Sequence, residues 1–231
     1  MTPRRAGSRE VIALFPLGTV LVPGLVLPLH IFEQRYRQLV NDLRDRPEDD
    51  RVFGVLAIRE GREVGTDGVR ALYDVGTMAR VQVINSYSDG RFDLMSHGDS
   101  RFRLLRLVDE GHPYLCGEVE WLEEDDGDGD ADLLGDVVTR RFDLYRAAVA
   151  GADAIEADQM EQLPEGARVL SYLVAAAMVL DLHDRQRLLE AGTTSERLRA
   201  EIALLARETS LLREIPSLPA IDLARVASGM N

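Results

Sequence analysis

Residues 14–36 read Leu-Phe-Pro-Leu-Gly-Thr-Val-Leu-Val-Pro-Gly-Leu-Val-Leu-Pro-Leu-His-Ile-Phe-Glu-Gln-Arg-Tyr, and how this stretch is parsed decides the fold. With Arg4 and Arg5 upstream, the apolar run from Val11 to Phe32, which includes most of it, first suggests a signal peptide or a membrane anchor. Pro16, Pro23 and Pro28 argue against both, because each removes a backbone donor and breaks the helix that such segments need. No small-residue cleavage site follows. The stretch instead divides into short extended pieces around Pro23-Gly24, which suits a type II turn: proline presets φ at the second position and glycine accepts positive φ at the third. Towards its end the period changes. Ile31, Arg35, Leu39 and Leu43, with Tyr36 and Val40 alongside, recur at helical spacing and predict one helix between His30 and Asp45. Phe15, Leu27, Leu29, Ile31, Phe32 and Tyr36 are expected to close a small core between strands and helix, with Arg35 pairing a carboxylate or capping a strand carbonyl.

Outward from this stretch, the chain as far as residue 122 is punctuated like a β structure, with apolar runs of four to eight residues separated by glycine, proline and Asp-Gly pairs. The expected strands are Val11–Leu14, Thr19–Leu21, Val52–Ile58, Val75–Ile84, Phe92–Ser96, Phe102–Val108 and Leu115–Leu122. Ser88-Asp89-Gly90-Arg91 predicts a hairpin with a tight two-residue turn, since Asp-Gly tolerates positive φ.

Residues 123–132, Glu-Glu-Asp-Asp-Gly-Asp-Gly-Asp-Ala-Asp, hold no large apolar anchor and read as a solvated acidic linker between domains. Alternate aspartates suggest a calcium loop, but counting from Asp126 the sixth position is Ala131 where glycine is needed, and the twelfth is Val137 where a bidentate glutamate is needed. Beyond the linker the period is helical. Leu134, Val137, Val138, Phe142, Tyr145 and Val149 form one stripe; Val169, Leu170, Leu173, Val174, Ala177 and Met178 form a segment apolar nearly all round, expected as the central buried helix. A third helix begins at Thr193, which has capping-box spacing to Glu196, and runs through Leu198, Ile202, Leu205 and Leu212 to Pro216. The fold class is therefore α+β: a β-rich part over residues 1–122, the linker at 123–132, and a helical bundle over 133–231.

Composition narrows the chemistry. The 27 basic side chains are all arginine against 40 acidic ones, a net charge of −13 that opposes binding to nucleic acid or anionic lipid. Without lysine there can be no P-loop lysine, Ser-Lys dyad or Schiff base. The lone Cys116 can make no internal disulfide and suits a reducing, cytoplasmic setting; in its apolar surroundings it reads as an inert packed thiol. His30, His97, His112 and His183 show no helical metal spacing. His183-Asp184 reads as a solvated helix end, and no Gly-x-Ser-x-Gly or Gly-x-Gly-x-x-Gly element is present. No catalytic residue, metal ligand or cofactor is expected.

Phe15-Pro16-Leu17, Pro23-Gly24, Leu27-Pro28-Leu29, Ile31-Phe32-Glu33 and Arg35-Tyr36 resemble, in order, the opening of the Lon protease N-terminal substrate-binding domain. Val75-Gly76-Thr77, Ala79-Arg80-Val81, Asp89-Gly90-Arg91, and Gly98 followed by Arg101-Phe102 resemble its next strands. Leu188-Leu189-Glu190 and Ser195-Glu196-Arg197-Leu198 resemble its end. The resemblance implies a PUA-like β subdomain followed by helices, and a non-catalytic module that binds unfolded polypeptides or an ATP-dependent protease, as a proteolysis adaptor. RNA binding, which PUA-like folds also serve, is the alternative, and the acidic charge opposes it. The ATPase and Ser-Lys peptidase that follow in a Lon protease are not in this sequence, so proteolysis is not implied. Leu25 beside the Pro-Gly turn and Tyr87 beside the Asp-Gly turn are the expected exposed contact residues.

Overall fold

The computed structural model describes residues 5–61, 69–150 and 163–214. Seven strands come first, β1 (Arg9–Leu17), β2 (Val26–Ile31), β3 (Val52–Gly61), β4 (Val69–Leu72), β5 (Val75–Ser86), β6 (Phe92–Val108) and β7 (Cys116–Trp121), with helix α1 (Gln34–Arg44) between β2 and β3. Four helices follow: α2 (Ala131–Ala150), α3 (Ala167–Ala177), α4 (Leu182–Glu190) and α5 (Thr194–Glu214).

The sheet runs β1-β7-β6-β5-β3 and then closes, because β3 returns to pair with β1 in parallel from Leu14 opposite Gly54 to Leu17 opposite Ala57. Closure into a five-stranded barrel leaves no open edge among those strands. Ile12, Leu14, Leu56, Met78, Phe102 and Val119 fill it. A second core, built on Phe15, Tyr36, Leu39, Leu43 and Phe53, joins the barrel wall to α1, with the Phe15 and Tyr36 rings stacked 4.0 Å apart. A third forms the bundle, where Ala131, Gly135, Val138, Phe142 and Tyr145 of α2 keep an alternating four-and-three spacing along α5.

Several local expectations change. Thr19–Leu21 is not a strand. Val20, Leu21 and Val22 are buried in a loop, and the Leu21 carbonyl accepts from the Thr77 hydroxyl at 2.6 Å instead of from a ladder. The strand lies one step later, at β2, where Pro28 is tolerated because β2 pairs with β6 alone and keeps an open edge. This pairing also takes His30 and Ile31 out of the expected helix, which starts at Gln34. Phe92–Ser96 and Phe102–Val108 are one strand of 17 residues. Its first half carries β2 and its second carries β7, and its pairing to β5 slips between Gly98 and Arg101. The hairpin before β6 has a three-residue loop. Tyr87 N–H donates to Arg91 O at 2.9 Å and Gly90 takes φ 82°, a turn followed by a glycine bulge. Phe32 is half exposed instead of buried. On α5 the buried face runs through Thr194, Leu198, Glu201, Leu205 and Thr209, leaving Leu212 partly exposed. The expected end of that helix at Pro216 lies outside the described residues.

Barrel and bundle share a fourth core. Val20, Val22, Ala57 and Val75 from the β side meet Tyr172 and Leu189 from the helices. Gln186 adds a buried hydrogen bond across the junction, from its side-chain amide to Val75 O at 3.0 Å.

Candidate functional site

A large, mainly apolar cavity among the described residues opens at this junction. It is a groove of about 660 Å³ between the Val22–Val26 segment and α3. The loop wall follows from local chemistry. Leu25 N–H donates to Val22 O at 3.2 Å and Gly24 takes φ 81°, the type II turn expected of Pro23-Gly24. The turn is fixed to β6 by Gly24 N–H to Gly98 O and Gly98 N–H to Leu25 O, both 2.9 Å. Position 98 must be glycine for this approach, since a Cβ there would lie 2.3 Å from Val22 O.

The opposite wall is α3. Leu170, Val174 and Ala175 face the bundle core, while Val169 is 59% and Leu173 39% exposed along the groove, with Ala176 and Ala177 a turn further on. This corrects the expectation of a central buried helix: α3 is apolar on the buried side and on the groove side. Leu25 (38% exposed) and Val26 (53%) face it from the loop. Asp99, Glu124 and Arg168, the last in the first turn of the helix, also line the groove. A second cleft of equal volume, between α2 and residues 163–170, mixes Asp132, Asp136, Asp143 and Arg146 with Leu163 and Leu170 and is the more polar of the two. Apolar walls with a few placed polar groups are the usual make-up of a binding site, which favours the first cleft.

Beside the lining residues Glu124 and Tyr172, two buried arginines tie β6 to the helices and the helices to one another. Arg101 of β6 donates to Glu124 Oε1 (2.6 Å), to the carbonyls of Leu189 (2.8 Å) and Ala191 (2.6 Å), and to Glu123 O (3.2 Å). Arg197 of α5 donates to Leu188 O (3.0 Å), Ser171 Oγ (3.1 Å) and Tyr172 Oη (2.8 Å), and its guanidinium lies 3.9 Å from the Tyr172 ring centre. The Tyr172 hydroxyl in turn donates to Glu124. Burial, first of all, pushes the Tyr172 hydroxyl up and keeps it protonated. These side chains are matched to one another, so the network reads as a brace.

The acidic stretch is docked onto the bundle. Asp126 accepts from Arg168 Nε at 3.0 Å and Thr194 Oγ1 at 3.1 Å, and Asp130 accepts from Ser195 Oγ at 2.6 Å and from Arg199. Hydrogen bonding from Arg168 holds the Asp126 carboxyl below its ordinary range, and hydrogen bonding from Ser195 does the same for Asp130. Among the described residues no group of three or more potential metal ligands converges. Asp184, expected at a solvated helix end, is buried and accepts from Arg207 at 2.6 Å, pinning α4 to α5. Cys116 is buried on the α1 side of the barrel, and desolvation pushes its thiol up, the opposite of an activated nucleophile.

Of the two residues marked from sequence, Leu25 lines the groove and Tyr87 does not. Tyr87 is 46% exposed at the β5–β6 hairpin, its ring 6.2 Å from that of His30. Its hydroxyl donates to Asp93, which His30 Nδ1 also contacts at 2.6 Å. That hydrogen bond raises the Tyr87 hydroxyl and lowers the Asp93 carboxyl. β2 links the two places: Val26 lines the groove, Pro28 and His30 are exposed on the same side, and Phe32 (50% exposed) follows. Val169 and Leu173 were read from sequence as core, and Val26 was not marked as a contact residue. The available signal was a helix apolar all round, which is either wholly buried or carries a contact surface.

Fold and groove together place the chain among two-part α+β proteins with an apolar cleft at the seam of barrel and bundle. The family model for the ATP-dependent protease La (LON) substrate-binding domain matches residues 11–207, and the chain belongs to that family. It is 29% identical over 214 residues to a Lon protease of Anaeromyxobacter dehalogenans, covering 88% of this chain and 24% of the relative. To the Lon protease of Escherichia coli it is 28% identical over 217 residues, covering 92% of this chain and 26% of that protein. The chain thus spans about a quarter of the length of these relatives. Among solved structures, it resembles a Lon N-terminal domain protein from Xanthomonas campestris, with TM-score 0.59, 27% identity, and coverage of 84% of this chain and 98% of that one. The N-terminal domain of the Lon protease of the Mycobacterium avium complex, at 16% identity and TM-score 0.61, shares the fold.

Proposed function

We propose that this chain is a non-catalytic protein-recognition module that binds exposed apolar segments of unfolded polypeptides in the groove between Pro23–Val26 and α3. One observation carries the reading: Leu25, Val26, Val169 and Leu173 leave substantial apolar surface in contact with water in one concave place. Removing such surface from water yields about 25 cal/mol per Å², so covering it with an apolar segment is favourable, and the concavity shields the segment on two sides. Membership of a substrate-binding family agrees with this use of the surface. Delivery of bound clients to a separate ATP-dependent protease in the cytoplasm, as a proteolysis adaptor, is the cellular role that the reading suggests. No helix of the described residues is long and apolar enough to cross a membrane.

The test is a binding titration of the protein against a fluorescently labelled, permanently unfolded polypeptide. Leu173→Asp places a charge on the groove wall and should weaken binding at least about tenfold, or about 1.4 kcal/mol. Leu144→Asp, at a 53% exposed position of α2 away from the groove, should leave it unchanged. Equal binding by both variants and the parent protein would remove the groove from the account.

A further inference from the structure

We propose that the groove prefers apolar segments flanked by arginine or lysine, with the basic flank seated beside Asp99 and Glu124. This rests on the reading of the groove as a polypeptide site and adds a charge preference to it. The groove is unequal along its length. Towards the C-terminal end of α3 its helix wall is Leu173, Ala176 and Ala177, whereas Arg168 stands in the first turn and Glu124 accepts from Tyr172 one turn on; Asp99 completes the charged lining.

Within this charged lining the carboxylates and their partners differ in exposure. Glu124 keeps 25% of its side chain exposed while its partner Arg101 keeps 2%. Asp99 keeps 34% while Arg80 keeps 18%. In both pairs the carboxylate is therefore the more exposed partner. Arg168 is itself held at 2.8 Å by Asp126, whose side chain is 59% exposed. The positive end of the α3 dipole amounts to about half a unit charge and opposes the preference. Asp126, bound to a side chain of the first helical turn, counters it. At longer range, the net charge of −13 attracts a basic segment and repels an acidic one.

The experiment compares three labelled peptides that share one apolar core, flanked by arginines, serines or glutamates, by fluorescence anisotropy against the full chain. At low salt the arginine-flanked peptide should bind about tenfold tighter than the glutamate-flanked one, with the serine form between, and salt should narrow the gap. Asp99→Asn should shrink the gap between the arginine-flanked and glutamate-flanked peptides. Equal affinities for all three peptides overturn the charge preference and leave the groove reading standing. If the serine-flanked peptide does not bind, or binds equally to Leu173→Asp, both fall. The peptide series on the unaltered protein is decisive even where a variant folds poorly.

Discussion

Both carboxylate oxygens of Glu201 are buried without a hydrogen-bond partner among the described residues, on the face that α5 presents to the bundle core. Desolvation is the main cause that drives this carboxyl well above its ordinary value, and the attraction of Arg197, one turn earlier, only partly opposes it. The folded chain therefore keeps a proton that the unfolded chain releases in the ordinary carboxylate range. Stability from this group falls as pH rises through the unfolded value and stops falling only once the buried group itself ionises. Glu201→Gln removes that slope. Urea midpoints of variant and parent should agree near about pH 4 and diverge by about pH 8 with the variant more stable, whereas parallel curves would refute the assignment. Sequence reading passed over Glu201, because a glutamate in a helix of an acidic chain looks like any solvated one. Gly98 was more legible: it stood in a recognisable motif, although only the structure shows the Val22 carbonyl that excludes a side chain there.

Among the elements, those whose pattern matched one environment were readable, and those serving two were not. The capping box at the start of α5 is formed by Glu196 N–H to Thr193 Oγ1 at 3.1 Å and Gly192 N–H to Glu196 Oε2 at 2.9 Å, near its expected geometry. β2 was missed because proline at position 28 argues against a strand until the strand is known to be an edge. α3 was found, but its two apolar faces were read as one burial. Arg101 shows the same limit. Its place in the motif was visible, yet its partners Glu124, Leu189 and Ala191 lie far along the chain and only the fold brings them to β6. Arg101→Ala would leave three carbonyls without this donor in a buried junction and Glu124 without its paired cation, with the Tyr172 hydroxyl still donating to it. The substitution should cost about 3–5 kcal/mol by denaturant unfolding, as removal of one partner of a buried pair does. A cost below about 1 kcal/mol would show that the junction holds by apolar contact alone.

For the molecule as a whole, the α+β order of strands then helices was legible, because hydrophobic period and turn chemistry change along the chain. Barrel closure was not, since the β1–β3 pairing joins strands with β2 and α1 between them, and no local pattern encodes it. The same holds for the groove, whose walls are some 145 residues apart in sequence, from Leu25 to Val169 and beyond. Its place at the junction means that a bound segment would touch both halves at once, while Arg101 ties β6 to the helices beside it and Arg197 ties those helices to one another. The most direct measurement is methyl NMR of the intact chain titrated with an unfolded polypeptide. The account predicts that methyl signals of Leu25, Val26, Val169 and Leu173 shift or broaden first, while those of Leu144 and Leu133 on α2 stay in place. Perturbation elsewhere with the four groove residues unmoved would contradict it.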